Sequence, residues 1–236
     1  MQNKIEELLR ARLVPASDYV FGYADLTGLI GHEFGGFTYA ISIGKKLDFR
    51  IVGSITEGPT MEYYSHYRKM NADLSALSLD IAGELNRKGI RTRLIDPSVT
   101  TEQLDTIYEK TLRTPFSHKM AATRAGLGWI GKTDLFISKR FGPRLRLVTI
   151  LTDTPLRPGN RAINKSRCGN CNLCVDACPA GAANGKSWDV TVDRDEFFNA
   201  FLCRQQCAEF GRTRLQLDAR VCGMCVSVCP VPLTLR

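Results

Sequence analysis

The sequence predicts an α+β protein in two parts, an α/β domain over residues 1–156 and a smaller cysteine-rich domain over 157–236. Three observations carry this. Strand-like and helix-like segments alternate through the first part. All nine cysteines fall between Cys168 and Cys229. Between the two parts runs Pro155–Arg167, rich in turn formers and basic residues and poor in apolar ones, which reads as a linker or an extended connection.

Within the first part, Met1–Leu13 has the pattern of a charged amphipathic helix. Tyr19–Ala24 and Phe37–Ile43 have strand composition. Met70, Leu74, Leu77, Ile81 and Leu85 recur at helical spacing and predict a long helix from Tyr63 to Leu85, ending near Gly89. Arg91–Ile95 reads as a strand, Thr101–Leu112 as a helix and His118–Ala125 as a short helix. Asp134–Ser138 and Leu145–Thr152 read as two further strands, with Gly142-Pro143 turning between them.

Composition narrows the class. The chain has 236 residues, 44% hydrophobic and 24% charged, as expected of a folded domain with a buried core. It shows neither an apolar run of membrane-spanning length nor a secretory signal pattern, so a cytoplasmic location without membrane association is expected. In a reducing compartment nine cysteines read as metal ligands or redox groups, and an odd total argues against full disulfide pairing. The formal charge of +8 would suggest a nucleic-acid partner. Residues 151–236, however, carry 11 Lys/Arg against 8 Asp/Glu, a surplus that anionic metal clusters would neutralise. A nucleic-acid site is therefore not expected.

The cysteine spacing is specific. Cys168, Cys171, Cys174 and Cys178, followed by Pro179, form C-x2-C-x2-C-x3-C-P, the run of bacterial two-cluster ferredoxins. Two-residue gaps let three thiolates wrap one 4Fe–4S cubane. The fourth cysteine is expected to start a helix, opened by the proline, that carries it to the other cluster. Four cysteines so close together do not suit one tetrahedral zinc. Cys222, Cys225 and Cys229-Pro230 repeat the run without its first member, because Ala219 stands in that place. Crossed ligation then gives one cluster to Cys168, Cys171, Cys174 and Cys229. The other takes Cys222, Cys225, Cys178 and either Cys203 or Cys207, with Cys203 favoured. The ninth cysteine is left as a small buried apolar residue.

Gly126-Leu-Gly-Trp-Ile-Gly-Lys-Thr133 satisfies both G-x-x-x-x-G-K-T and G-x-G-x-x-G. A phosphate loop must follow a strand and open a helix. Here a helical segment precedes the glycines and a strand follows, so nucleotide binding is not expected.

His118–Lys132, the segment ending in Leu156 and the two cysteine runs together resemble the epoxyqueuosine reductase family. The resemblance covers residues 110–236 well and the first half loosely. It implies a nitroreductase-like α/β domain that binds cobalamin, reduced by the clusters. Gly126, Gly128 and Gly131 would then let the backbone approach the corrin, with Trp129 and Lys132 beside it. A flavin on the same kind of sheet is the lesser alternative. Two departures matter. The family's proton-donating aspartate corresponds to Leu112, and its helical-repeat extension that engages transfer RNA has no counterpart before Arg236. A short, divergent relative acting on something other than transfer RNA is expected, with His118, His66 and Tyr64 as candidate proton donors or pocket residues. The competing expectation is a ferredoxin-type protein that donates electrons to a corrinoid or other redox partner protein.

Overall fold

A computed structural model of the protein describes residues 1–98 and 104–232. By backbone contacts the chain divides into two units that interleave in sequence. Unit 1 is Met1–Lys46, Met70–Leu127 and Arg146–Ile163; unit 2 is Leu47–Lys69, Gly128–Leu145 and Asn164–Arg236. The single cut expected at 156/157 falls inside the last segment of unit 1.

Unit 1 is built on a four-stranded sheet in the order β1-β2-β6-β3: β1 Tyr19–Asp25, β2 Tyr39–Lys46, β6 Leu145–Thr152 (within unit 1 from Arg146) and β3 Thr92–Ile95. β1 runs antiparallel to β2, with Tyr23 opposite Ile41 and Phe21 opposite Ile43. β3 runs antiparallel to β6 from Thr92↔Thr152 to Ile95↔Thr149. The five residues Ala40–Gly44 are all buried, the pattern of a strand covered on both faces. On one face Tyr23, Ile41, Ile43, Val148 and Ile150 form a core with Ile5 and Leu9 of α1 (Gln2–Arg12) and with Leu74, Ile81 and Leu85 of α3 (Met61–Arg87). The predicted helix thus spans more residues than expected, and its end is fixed by Gly89 at φ +77°, where Ile90 N–H returns to Leu85 O.

Small residues permit close packing of a helix on β1 and β2. A Cβ on Gly22 would lie 3.1 Å from Ala125 O, so α5 (His118–Arg124) approaches through Ala121, Ala122 and Ala125. Ser117 caps α5 by accepting from Met120 N. Pro155–Ile163 is an extended connection held to unit 1: Arg157 N donates to Gln2 Oε1, Ile163 N to Thr123 O, and Arg124 donates to Ile163 O. The helix expected over Thr101–Leu112 begins outside the described residues; what is described is α4, Thr106–Thr111, capped by Asp105.

Unit 2 has little regular structure. It contains α2 (Phe49–Gly53), the hairpin of β4 (Gly128–Ile130) and β5 (Phe136–Ser138), and the helices α6 (Leu173–Asp176), α7 (Ala200–Phe210) and α8 (Met224–Ser227). Asp48 caps α2 and is itself steadied by His66, whose Nε2 accepts from Asp48 N at 2.9 Å. Among the described residues no helix is long and apolar enough to cross a membrane.

Candidate metal centre

The two cysteine runs adopt matching local structures. In each, a short helix holds one cysteine, Cys174 in α6 and Cys225 in α8, and the two helices pack together. Gly223 opens α8 at φ +90°, where a Cβ would stand 2.7 Å from Ile55 Cδ1 and 2.8 Å from Tyr63 Cε1, so only glycine fits. The helix expected to start at Cys178 is not there, nor does one start at Cys229. α6 ends at Asp176 and α8 at Ser227, and Pro179 and Pro230 follow the cysteines in turn or irregular backbone. A prolyl nitrogen has no hydrogen to continue the preceding helix, so each proline acts as a stop.

Charge interactions set out two groups of cysteines, linked through Cys174 and Cys225. Burial pushes the Cys229 thiol up to about 11; Val231 N–H and Arg144 oppose that, and the Cys174 and Cys168 thiolates add to it. Cys174 is raised chiefly by burial, with repulsion from Cys168 and Cys171. In the other group α7 presents Cys203 and Cys207 one turn apart. The Cys207 thiol is driven up by donating to Cys203 and Cys222, and the same bonds lower Cys203 and bring Cys222 to about 7. Burial raises Cys225, with Cys222 and Cys203 adding repulsion. Cys178 Sγ accepts from Ala182 N at 3.4 Å. Both candidates for the eighth ligand therefore stand beside Cys222.

This donor set fits cubanes better than a single ion. Among the described residues no three His, Cys, Asp or Glu side chains are arranged to hold one metal ion. A cubane offers four separate irons and asks for a wider spread of thiolates. Lys132 points the same way. It is only 4% exposed, and its ammonium donates to the neutral Asn172 Oδ1 at 2.7 Å, between Cys171 and Cys174 in sequence. A buried cation on a neutral amide is costly unless negative charge stands near, and an oxidised cubane with four thiolates carries about −2.

Arg144, which spacing did not single out, holds the second run in place. Its guanidinium donates to the carbonyls of Val231 at 2.7 Å, Ser227 at 3.0 Å and Cys229 at 2.5 Å, and it stacks on Phe49 at 5.6 Å. Trp129 Nε1 donates to Cys168 Sγ at 3.4 Å, and Arg167 lies over its ring at 5.9 Å.

The residues read as a corrin cradle are otherwise occupied. Gly126 belongs to unit 1, at φ +70°, where a Cβ would lie 2.5 Å from Asn160 Cβ. Gly128 belongs to unit 2, and a Cβ there would lie 2.0 Å from Ile137 O, in the β4–β5 pairing. Near Gly131 the close atoms are those of Ile137. These glycines admit the protein's own backbone and side chains, and Trp129 and Lys132 are bonded to Cys168 and Asn172. The phosphate-loop pattern is also excluded by geometry, since its middle is strand β4 and no helix follows Lys132.

The remaining candidates are dispersed. His118 lies in unit 1, with Nδ1 2.8 Å from Thr149 Oγ1 and Nε2 2.7 Å from Asp96 O. Burial lowers it to about 4. His66 and Tyr64 lie in unit 2, His66 at the cap of α2 and Tyr64 under the Arg68 guanidinium at 5.9 Å.

Residues 167–232 match the family model of a 4Fe–4S double cluster binding domain. The chain carries a double-cluster domain and is similar to epoxyqueuosine reductases. The epoxyqueuosine reductase of Cyclobacterium marinum is 30% identical over 145 residues, 58% of this chain and 46% of that protein. The matched stretch thus spans under half of that relative's length. Among solved structures, an epoxyqueuosine reductase with an epoxyqueuosine-modified tRNA-Tyr stem loop superposes with a TM-score of 0.59 at 20% identity, over 99% of this chain and 66% of that one. A catabolic reductive dehalogenase gives 0.59 at 19% identity, over 81% and 25%. At such identities the double-cluster chain shares their fold, and no more follows from the superposition.

Proposed function

We propose that the protein is an iron–sulfur oxidoreductase whose two 4Fe–4S clusters pass single electrons to an acceptor. One cluster is assigned to Cys168, Cys171, Cys174 and Cys229, the other to Cys178, Cys203, Cys222 and Cys225. The observation that supports this most is the match of residues 167–232 to a 4Fe–4S double cluster binding domain. Cys229 of the second run also feels the thiolates of Cys168 and Cys174 of the first, as crossed ligation would have it.

Cobalamin is the acceptor suggested by the likeness in fold to epoxyqueuosine reductases and a reductive dehalogenase. The commitment of Gly128, Trp129 and Lys132 within unit 2 favours a second reading, in which a separate corrinoid or other redox protein receives the electrons. Epoxide reduction on transfer RNA is not the reaction proposed, because Leu112 replaces the acid expected there, in a left-handed turn at φ +50°.

Anaerobic reconstitution followed by iron, corrinoid and flavin analysis separates the readings. About eight irons with stoichiometric cobalamin uptake support the reductase. About eight irons with no corrinoid or flavin bound support the electron-transfer protein. Fewer than about six irons sink the two-cluster assignment.

A further inference from the structure

The run Trp129–Thr133 imitates a phosphate loop, yet its tryptophan is directed at sulfur. The Trp129 indole N–H is bonded to Cys168 Sγ at 3.4 Å. Further along the same run Lys132 holds Asn172, the residue that opens α6. Pairing of Gly128, Trp129 and Ile130 with β5 fixes the direction of this run.

We infer that Trp129 is a donor that raises the reduction potential of the cluster held by Cys168, Cys171, Cys174 and Cys229 and leaves that of the other cluster untouched. The inference rests on the two-cluster reading above. Each cubane takes one electron from an external one-electron reductant, its core passing from 2+ to 1+ with no bond made or broken. The added negative charge spreads over the sulfurs. An N–H or O–H directed at a ligating sulfur therefore stabilises the reduced form more than the oxidised one and raises the potential. Trp129 is a positioning residue, since it does not bind iron.

The test is a dithionite titration of the anaerobically reconstituted full chain, followed by electron paramagnetic resonance. Trp129→Phe keeps the ring and removes the N–H; one cluster should fall in potential and the other should stay. Unmoved potentials in Trp129→Phe, at full iron content, overturn the inference and leave the clusters standing. Should Trp129→Phe fail to load iron, a chain carrying benzothienylalanine at position 129, which keeps the two-ring shape and lacks the N–H, decides in its place by the same reading. Wild-type protein with fewer than about six irons overturns the two-cluster reading and this inference with it.

Discussion

His118 has both ring nitrogens engaged. Asp96 O can only accept, so Nε2 carries the hydrogen and Nδ1 accepts from the Thr149 hydroxyl. The ring is therefore neutral in the fold, with a pKa of about 4 against 6.5 for the free side chain. Its contribution to stability is fully present above pH 6.5 and is lost as pH falls from there toward 4, because only the unfolded chain takes up the proton. The loss amounts to at most about 3 kcal/mol. Urea unfolding at pH 7 and pH 5 should show a smaller pH effect in His118→Gln than in the wild type. A role as proton donor would instead need a ring charged near neutrality. Among the cysteines, Cys203→Ala should leave about four irons and Cys207→Ala about eight; the reverse result would move the eighth ligand to Cys207. Spacing singled out the other proposed cluster cysteines because each run is local in sequence. The choice on α7 was not legible, since residues one turn apart present the same face.

The hairpin of β4 and β5 places Trp129, Lys132 and Thr133, and a single atom can break it. Gly128→Ala would set a methyl 2.0 Å from Ile137 O. It should cost more than about 2 kcal/mol and reduce cluster loading, measured as iron per chain after reconstitution. In the sheet core of unit 1, Leu74→Ala should destabilise by about 2–5 kcal/mol in chemical denaturation without changing iron content. The longer elements were legible because their periodicity extends over many residues: β1, β2, β3, α3, α5 and β6 all stand close to where the pattern placed them. β4 was not, since three residues flanked by glycines carry no period. Its identity comes from Ile137 and Phe136 across the pairing. α2 was hidden for a related reason, its cap being completed by His66 from another element. The grip of Arg144 on three carbonyls of residues 227–231 likewise joins segments far apart in sequence.

At the scale of the molecule, the two units have different sources of stability. Unit 1 has a sheet with helices packed on it and a continuous apolar core. Among its described residues unit 2 has three-residue strands and, apart from α7 and the first turns of α3, α-helices of four or five residues, so much of its order is expected to come from metal ligation. Removing iron with a chelator under reducing conditions should therefore abolish hydrogen-exchange protection in residues 164–232 and leave it in β1, β2, β6 and α3 from Met70 onward. Equal loss of protection in both units would show that unit 1 also depends on the metal. The boundary expected at 156/157 came from the cysteine count. The structural units differ from it because 47–69 and 128–145 join unit 2 while containing no cysteine at all.

That interleaving bears on how the protein is made. A chain that folds as it leaves the ribosome can complete a domain early only if the domain is continuous in sequence. Unit 1 awaits Ile163 before it is whole, and unit 2, begun at Leu47, has its last cysteine only at Cys229. With Cys229 proposed to share a cluster with Cys168, loading of that cluster must wait until Cys229 has been made. Until then the three thiols that the first run gives to that cluster remain open to oxidants and to competing metals.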